Sequence, residues 1–349
     1  MISSSPEVAE RRAALALSLI SGVGPVRFGE LVETFGSPSA ALRSQRNAAA
    51  RERAMVEADR LLECAERTGA RLVVRGQPGY PAALAELPQP PSCLWLRGNA
   101  GLIDAPCIGI VGTRHPTPYG ERVARDLATA LARAGAVVIS GLALGIDGVA
   151  HRSALDAGGG SIGVLGTGVD VAYPRAHATL HAQLANHGLL VSEEPPGARA
   201  TPGSFPKRNR IIAALSTAVI IVEADHDSGA LITAGHALEL ARSVAAVPGP
   251  IDSPRSNGAN RLLRDGAIVI AEAADALALL GLSAPPVRDL SRATRAEREI
   301  WKVLGRGAAD MDALAAACDL PLRDCLAALT SLEMAGAVEC APSGEIRRL

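Results

Sequence analysis

Aromatic residues are nearly absent from this chain. Its 349 residues include two tryptophans, three tyrosines and three phenylalanines, 2% of the total. A core of this size must therefore be built from aliphatic side chains. Lysine is as rare, because Lys207 and Lys302 are the two in the sequence and arginine supplies the remaining positive charge.

A large net charge of either sign is also missing. The formal charge is −1 at pH 7, so the protein as a whole generates no field that would draw it onto a polyanion. Any nucleic-acid binding must come from a local cluster of cations.

Long apolar segments are missing as well. No apolar run reaches the length of a transmembrane helix, and residues 1–7 lack the pattern of a signal peptide. The six cysteines form no Cys-x-x-Cys pair and are typical of reduced thiols. We therefore expect a cytoplasmic protein without membrane insertion.

Several cofactor motifs do not occur. No G-x-G-x-x-G follows the first strand, and the second strand ends in Ser140-Gly141 rather than in an acid that would hold a ribose. A P-loop and a G-x-S-x-G elbow are missing too. His177 and His181 are spaced to share a helix face but lack the glutamate of a zinc motif. We expect no cofactor, no metal and no catalytic residue.

The first segment of the sequence, residues 1–75, is predicted to be helical. Alanine, leucine, glutamate and arginine dominate it, with few helix breakers. The Gly-Val-Gly at residues 22–24 lies between two helical stretches. It suits either half of a helix-hairpin-helix, whose amides can face a phosphate, or a tight interhelical turn.

Residues 76–282 have the pattern of an α/β fold. Residues 76–93 break both periodicities and suggest a linker. Short β-branched runs then alternate with amphipathic segments, which predicts a Rossmann-like parallel sheet covered on both faces. The predicted strands are Ile108–Val111, Val137–Ser140, Ile162–Leu165, Leu189–Ser192, Val219–Val222, Val244–Val247 and Ile268–Ile270.

A second linker is predicted at residues 283–292, and a winged helix at residues 293–349. Three helical stretches near 294–304, 310–317 and 321–335 are followed by a hairpin from Ala337 to Arg348. The third helix offers Arg323 as its one cation, whereas helices that enter a major groove are richer in cations and amides. We expect this module to contact protein rather than duplex DNA.

Turns that suit a phosphate lie at several strand ends. Gly112, Thr113 and Arg114 follow the first strand, Arg175 follows the third, and Ser228 and Gly229 follow the fifth. Small residues leave backbone amides accessible to an anion. Asp147, after the second strand, is placed to cap the next helix, a structural role that competes with a catalytic one.

The most basic stretch is Phe205-Pro206-Lys207-Arg208-Asn209-Arg210. No acidic residue occurs between Glu194 and Glu223, so no sequence neighbour neutralises this stretch. A ring beside clustered cations suits a site that stacks a base and holds phosphates. A solvated helix start is the other interpretation.

These motifs, in this order, resemble the DprA/Smf family. The similarity covers about residues 78–281 and includes Val111–Arg114, Ser140–Asp147, Tyr173-Pro174, Phe205–Arg210 and Gly258–Asn260. It implies a SAM-like N-terminal domain, a winged helix, dimerisation through the Rossmann-like domain and no cofactor. By position, Arg114, Arg175, Lys207, Arg208 and Arg210 resemble the family's basic pocket, with Phe205 either stacking on a base or packing in the core.

The resemblance implies a single-stranded DNA-binding mediator that protects incoming strands and loads RecA recombinase during natural transformation. Its DNA-binding residues would be Gly112, Thr113, Arg114, Arg175, Phe205, Lys207, Arg208, Asn209, Arg210, Ser228 and Gly229. The alternative is a phosphoribohydrolase-like enzyme, suggested by Ser228-Gly229 at a helix start with Glu239 on the same helix. A purely scaffolding protein is a third interpretation.

Overall fold

The computed structural model describes residues 6–283, 293–304, 309–334, 337–341 and 344–348. These residues divide into two compact units, Met1–Ala284 and Pro285–Leu349. Residues 284–292, almost all of the predicted second linker, lie outside the described residues.

The N-terminal segment forms four helices, as its composition predicts. They are α1 (Pro6–Ser18), α2 (Pro25–Phe35), α3 (Pro38–Ser44) and α4 (Ala48–Thr68). Proline starts α2 and α3, where its missing N–H costs nothing. Gly36 and Gly69 end α2 and α4 in the left-handed conformation that favours glycine. The Gly-Val-Gly therefore lies in the turn between α1 and α2.

A nine-stranded sheet forms the centre of the first unit, and its strand order is β1-β2-β6-β5-β4-β3-β7-β8-β9. The strands are β1 (Arg71–Val74), β2 (Cys93–Gly98), β3 (Cys107–Val111), β4 (Val137–Ser140), β5 (Ser161–Leu165), β6 (Leu189–Ser192), β7 (Ala218–Ile221), β8 (Ser243–Ala246) and β9 (Ile268–Val269). From β6 to β9 all pairs are parallel. The seven predicted strands are confirmed to within one residue at each end.

Helices cover both faces of the sheet, as predicted. They are α5 (Ala82–Ala85), α6 (Pro118–Arg133), α7 (Ile146–Asp156), α8 (Ala178–His187), α9 (Ser204–Leu215), α10 (Gly229–Glu239), α11 (Asn257–Arg264) and α12 (Ala273–Ala278). Ile108 and Val138 pack with α6, α7 and α12 on one face. Ile139 packs with α9, α10 and α11 on the other. Adjacent residues thus point to opposite aliphatic layers.

The expectation for residues 71–98 is wrong in part. β1 lies at the end of the predicted helical segment, and β2 begins at the last residue of the predicted linker. The two strands pair with each other antiparallel, and β2 pairs antiparallel with β6. Val74 and Trp95 pack with Leu17 of α1 and Leu61 of α4 in a shared core. The predicted domain division at residues 75 and 76 therefore separates two paired strands.

The second unit has the predicted winged-helix outline. Its elements are α13 (Arg295–Leu304), α14 (Met311–Cys318), α15 (Leu322–Met334) and a hairpin of β10 (Val338–Cys340) and β11 (Ile346–Arg348). Ile300, Leu314 and Leu329 contribute one core residue from each helix. None of the helices described in either unit is long and apolar enough to cross a lipid bilayer.

Candidate nucleic-acid interface

A cavity of about 730 Å³ lies at the carboxyl ends of β3 and β7. The chain passes from β3 through β4, β5 and β6 on one side, and then returns to place β7 on the other side of β3. Loops that leave β3 and β7 therefore diverge, which opens the crevice that ligands occupy in such sheets. The first turns of α9 and α10 complete the walls.

Gly112 brings the turn after β3 close to its neighbours. A Cβ at this position would lie 2.7 Å from Cγ1 of Ile146 and 2.9 Å from the carbonyl oxygen of Glu223. The next amide, that of Thr113, donates to the same carbonyl at 2.7 Å. The expectation of an open amide is thus wrong at Thr113, because the Glu223 carbonyl oxygen, just after β7, already accepts from it. The side chain of Arg114 leaves the turn and is exposed.

An aromatic and cationic ledge forms one wall of the cavity. The Cζ atom of Arg114 lies 5.7 Å from the centre of the Phe205 ring. The rings of Phe205 and Tyr173 are 5.3 Å apart between centres and inclined by 33°. Phe205 is half-buried and lines the cavity, and Tyr173 is 47% exposed. Phe205 therefore stands at the cavity wall rather than inside the core.

Arg208 is buried beneath this ledge. Its Nη1 donates to the carbonyl oxygen of Gly141 at 2.5 Å and to that of Val164, and its Nε donates to Oδ1 of Asn209 at 3.1 Å. Burial lowers the pKa of Arg208 to about 10, although Asp147 opposes that shift. The side chain ties α9 to the ends of β4 and β5. Arg208 is thus an internal support that also lines the cavity, and its predicted contact with DNA stays a prediction.

Asp147 holds the loop after β4. Helix α7 starts at Ile146 with Gly145 at its cap, so Asp147 does not cap the helix as expected. Its Oδ2 instead accepts from the amides of Gly141 and Ala143 at 3.1 and 3.3 Å. Burial raises the pKa of this carboxyl, while Arg208 and the two amides act in the opposite direction.

Two buried histidines hold the same loop at Leu142, whose φ of 57° is left-handed. Nε2 of His151 accepts from the Leu142 amide at 3.3 Å, and Nδ1 of His177 lies 3.1 Å from the Leu142 carbonyl oxygen. Burial lowers the pKa of His151 to about 3, which keeps the ring neutral. His177 precedes α8 while His181 lies within it, so the expected shared helix face does not form.

Asn209 joins the first turns of α9 and α10. Its Nδ2 donates to the carbonyl oxygen of Gly229 at 3.1 Å. The Ser228 hydroxyl accepts from the Ala230 amide at 3.3 Å and caps α10. All three predicted residues line the cavity. The polar groups of Asn209 and Ser228 are thus partly used to fix the wall.

Lys207 and Arg210 point to the other side of α9, into a second cavity of about 400 Å³. Nη2 of Arg210 lies 2.5 Å from Glu193, and Nζ of Lys207 lies 3.4 and 3.2 Å from Glu193 and Glu194. Nη1 of Arg210 also donates to the Gln89 carbonyl oxygen at 2.7 Å. The predicted basic stretch therefore does not form one wall, and two acids that precede it in sequence neutralise part of it in space.

Arg175 is exposed and forms no ion pair with any residue in the described part of the chain. Arg175 and His177 begin and end a single turn of 3-10 helix, and Arg175 lies outside the cavity wall. Two exposed acids that sequence reasoning did not assign, Asp225 and Asp227, do line the cavity. The cavity is therefore mixed in charge, with its aromatic and cationic side at Arg114.

Two family models together cover nearly all of the chain after the N-terminal helices. One, described as DNA recombination-mediator protein A, matches residues 71–281, and the other, the DprA winged helix domain, matches residues 283–344. The chain belongs to the DprA family. The resemblance predicted from the motifs is confirmed.

Relatives of this DprA family member span most of its length. A Mycobacterium tuberculosis protein assigned as DprA is 39% identical over 354 residues, which cover 95% of this chain and 90% of the relative. The structure of DprA from Streptococcus pneumoniae matches with a TM-score of 0.64 and 32% identity, over 78% of this chain and 96% of that one.

A structure of DprA from Helicobacter pylori, described for its single-stranded DNA binding mode, matches with a TM-score of 0.56. It is 33% identical and covers 61% of this chain and 96% of its own. Both solved structures support the Rossmann-like architecture of this family member.

Proposed function

We propose that this DprA family member binds single-stranded DNA at the cavity beside β3 and β7. The observation that carries the proposal is the ledge of Tyr173, Phe205 and Arg114. Aromatic faces accept any base by stacking, and an adjacent guanidinium holds the neighbouring phosphate. The description of the Helicobacter pylori relative as a single-stranded DNA binder supports the same ligand.

We infer the path of the strand from the charges around the cavity. Asp225 and Asp227 repel phosphate on the α10 side, whereas Arg114 attracts it on the ledge side. The exposed Arg175, two residues after Tyr173, attracts phosphate outside the cavity wall. Bases then stack toward Phe205 while the backbone follows the arginines. Gly112, Thr113, Ser228 and Gly229 contribute close backbone approach around the cavity rather than charge.

Lys207 and Arg210 provide a second, weaker contact in this proposal. They already pair with Glu193 and Glu194, so a phosphate must exchange with those carboxylates. Asn209 and Arg208 act through the positions of Gly229 and α9 rather than through direct contact. The eleven predicted residues thus divide into direct contacts and supports.

The wider role is the one that the family implies. We infer that the protein is a cytoplasmic homodimer that protects incoming single strands and loads RecA recombinase onto them during natural transformation. Holding a strand needs no catalytic residue and no cofactor, because stacking and ion pairing are sufficient for it.

Salt dependence tests the site. About four contacted phosphates predict a slope of roughly −3 for log affinity against log salt, at about −0.7 per contact. Combined Arg114→Ala and Arg175→Ala substitutions should halve it to roughly −1.4. Arg71→Ala with Arg133→Ala is the matched control. Both arginines are exposed and lie near the amino ends of strands, Arg71 at the start of β1 and Arg133 shortly before β4, whereas the cavity lies at carboxyl ends. If the folded Arg114→Ala, Arg175→Ala variant keeps the wild-type slope and affinity, the proposed site is wrong.

The phosphoribohydrolase alternative depends on Glu239, and the structure places this acid away from the cavity. Glu239 ends α10, where it is 68% exposed and pairs with His236 at 3.1 Å, and it does not line the cavity. Ten residues of helix separate it from Gly229, about 15 Å. Release of a free base from a nucleoside monophosphate by the purified protein would nevertheless favour the enzyme over the DNA-binding protein.

A further inference from the structure

An apolar row runs along the exposed side of α15, the third helix of the C-terminal unit. Leu322, Leu326 and Met334 are 55%, 54% and 85% exposed. Thr330, also exposed, completes the i, i+4, i+8, i+12 spacing of one helix ridge. The opposite side of the helix is buried in the core of the unit. An uncovered row of this kind marks a protein contact rather than a DNA-reading surface.

Charges of opposite sign stand near the two ends of the row. Arg323 has a side chain 93% exposed, with its Nε 3.5 Å from Oδ1 of Asp324. Glu333 is exposed one residue before the end of the helix. Both positions are equally far in sequence from Ala328, and so are the members of the pairs Leu322 with Met334 and Leu326 with Thr330. The positions of the row are therefore symmetric about its centre, and the charges near its two ends are opposite.

We propose that this face pairs antiparallel with the same face of a second copy of the chain. A twofold axis on the exposed side of α15, midway between Leu326 and Thr330, places Leu322 against Met334 of the second copy and Leu326 against Thr330 of the second copy. The same register sets Arg323 level with Glu333 of the second copy, and symmetry forms that ion pair twice. A parallel pairing would instead set like charges beside each other at both ends.

The proposed contact is small. Thirteen residues of helix extend about 20 Å. One face of a helix this short buries less area than the roughly 1,600 Å² of a standard interface. Association through α15 is therefore weak and depends on protein concentration. It adds to any dimer formed by the Rossmann-like unit and acts independently of DNA binding in the cavity.

Charge reversal in the full-length chain tests both the surface and its register. Arg323→Glu or Glu333→Arg alone places like charges at both symmetric contacts and should weaken self-association about tenfold, at under 1 kcal/mol per exposed pair. An equimolar mixture of the two variants should regain the wild-type association. In the mixed pair every position 323 faces a position 333 of opposite charge. The readout is the weight-average mass from sedimentation equilibrium over a concentration series.

Two further variants control for folding and for net charge. Leu326→Gln should weaken association alone and in every mixture, while the circular dichroism spectrum stays that of the wild type. Arg298→Glu, at an exposed position on α13, changes the net charge by the same amount as Arg323→Glu and should leave the mass curve unchanged. A wild type without concentration-dependent association, or single variants with the wild-type curve, overturns the proposal. A mixture that associates no better than its components also overturns it and favours a contact with another protein or with the first unit.

Discussion

At the scale of single residues, Arg208 and Phe205 are three positions apart on α9 and differ in what they contact. Phe205 meets Arg114 and Tyr173 at the cavity wall. Arg208 is buried and donates to two backbone carbonyls at the ends of β4 and β5. Sequence reasoning grouped the two because basic and aromatic neighbours suit a DNA site, but it does not show which side chain the fold encloses.

Replacement of Arg208 should therefore affect folding first. Arg208→Ala leaves the Gly141 and Val164 carbonyls without this donor and Asp147 without its nearby cation. The free energy of unfolding should fall by about 3 kcal/mol, as for other broken buried ionic networks. Urea denaturation followed by circular dichroism measures it.

Arg175→Ala is the matched control, because that arginine is exposed and its loss should change the free energy of unfolding by under about 0.5 kcal/mol. An Arg208→Ala protein that unfolds at the wild-type urea concentration but fails to bind DNA would contradict the supporting role.

At the scale of elements, the predictable part of the fold is the part with regular burial. Strands such as β4 and β7 are enclosed on both faces and appear in the sequence as continuous β-branched runs. β1 was missed because it has four residues and follows a long helix, and β2 because it follows a proline-rich stretch. The pairing between these two strands is a tertiary property that neither local pattern contains.

Helix α9 shows the same limit for the site. Its spacing places Phe205 and Asn209 on the first cavity but Lys207 and Arg210 on the second. The sequence shows no acid between Glu194 and Glu223. In the structure, however, Glu193 and Glu194, which follow β6, pair with Arg210 and Lys207. The turn residues, Arg114 and Phe205 are predictable from sequence. The fold adds Asp225 and Asp227 to the cavity wall and packs Tyr173 against Phe205.

Removal of the two glutamates should strengthen DNA binding if Lys207 and Arg210 contact phosphates. Glu193→Gln with Glu194→Gln frees the exposed Lys207 from ion pairs worth under about 1 kcal/mol each and also removes the carboxylate that pairs with the mostly buried Arg210. Affinity for single-stranded DNA should therefore rise about threefold to tenfold. Fluorescence anisotropy at low salt measures the change.

Glu30→Gln with Glu57→Gln serves as the matched control, because these exposed glutamates pair with arginines within their own helices. An equal gain in both variants would show a general charge effect and remove Lys207 and Arg210 from the interface.

At the scale of the whole molecule, the chain combines a Rossmann-like unit with a winged-helix unit whose third helix carries an apolar face. The near-zero net charge means that binding depends on where cations are grouped rather than on their number. The ledge in the first unit places Arg114 beside two of the chain's few aromatic rings, while α15 in the second unit presents leucines and one arginine. Single-stranded DNA should therefore contact the first unit.

Photocrosslinking tests this assignment most directly. A single-stranded oligonucleotide that carries 5-iodouracil is bound to the full-length protein and irradiated, and the crosslinked peptides are identified by mass spectrometry. Crosslinks at Tyr173 or Phe205 that disappear in the Arg114→Ala, Arg175→Ala variant are the predicted result. Crosslinks confined to residues 293–349, with none at the ledge, would contradict it.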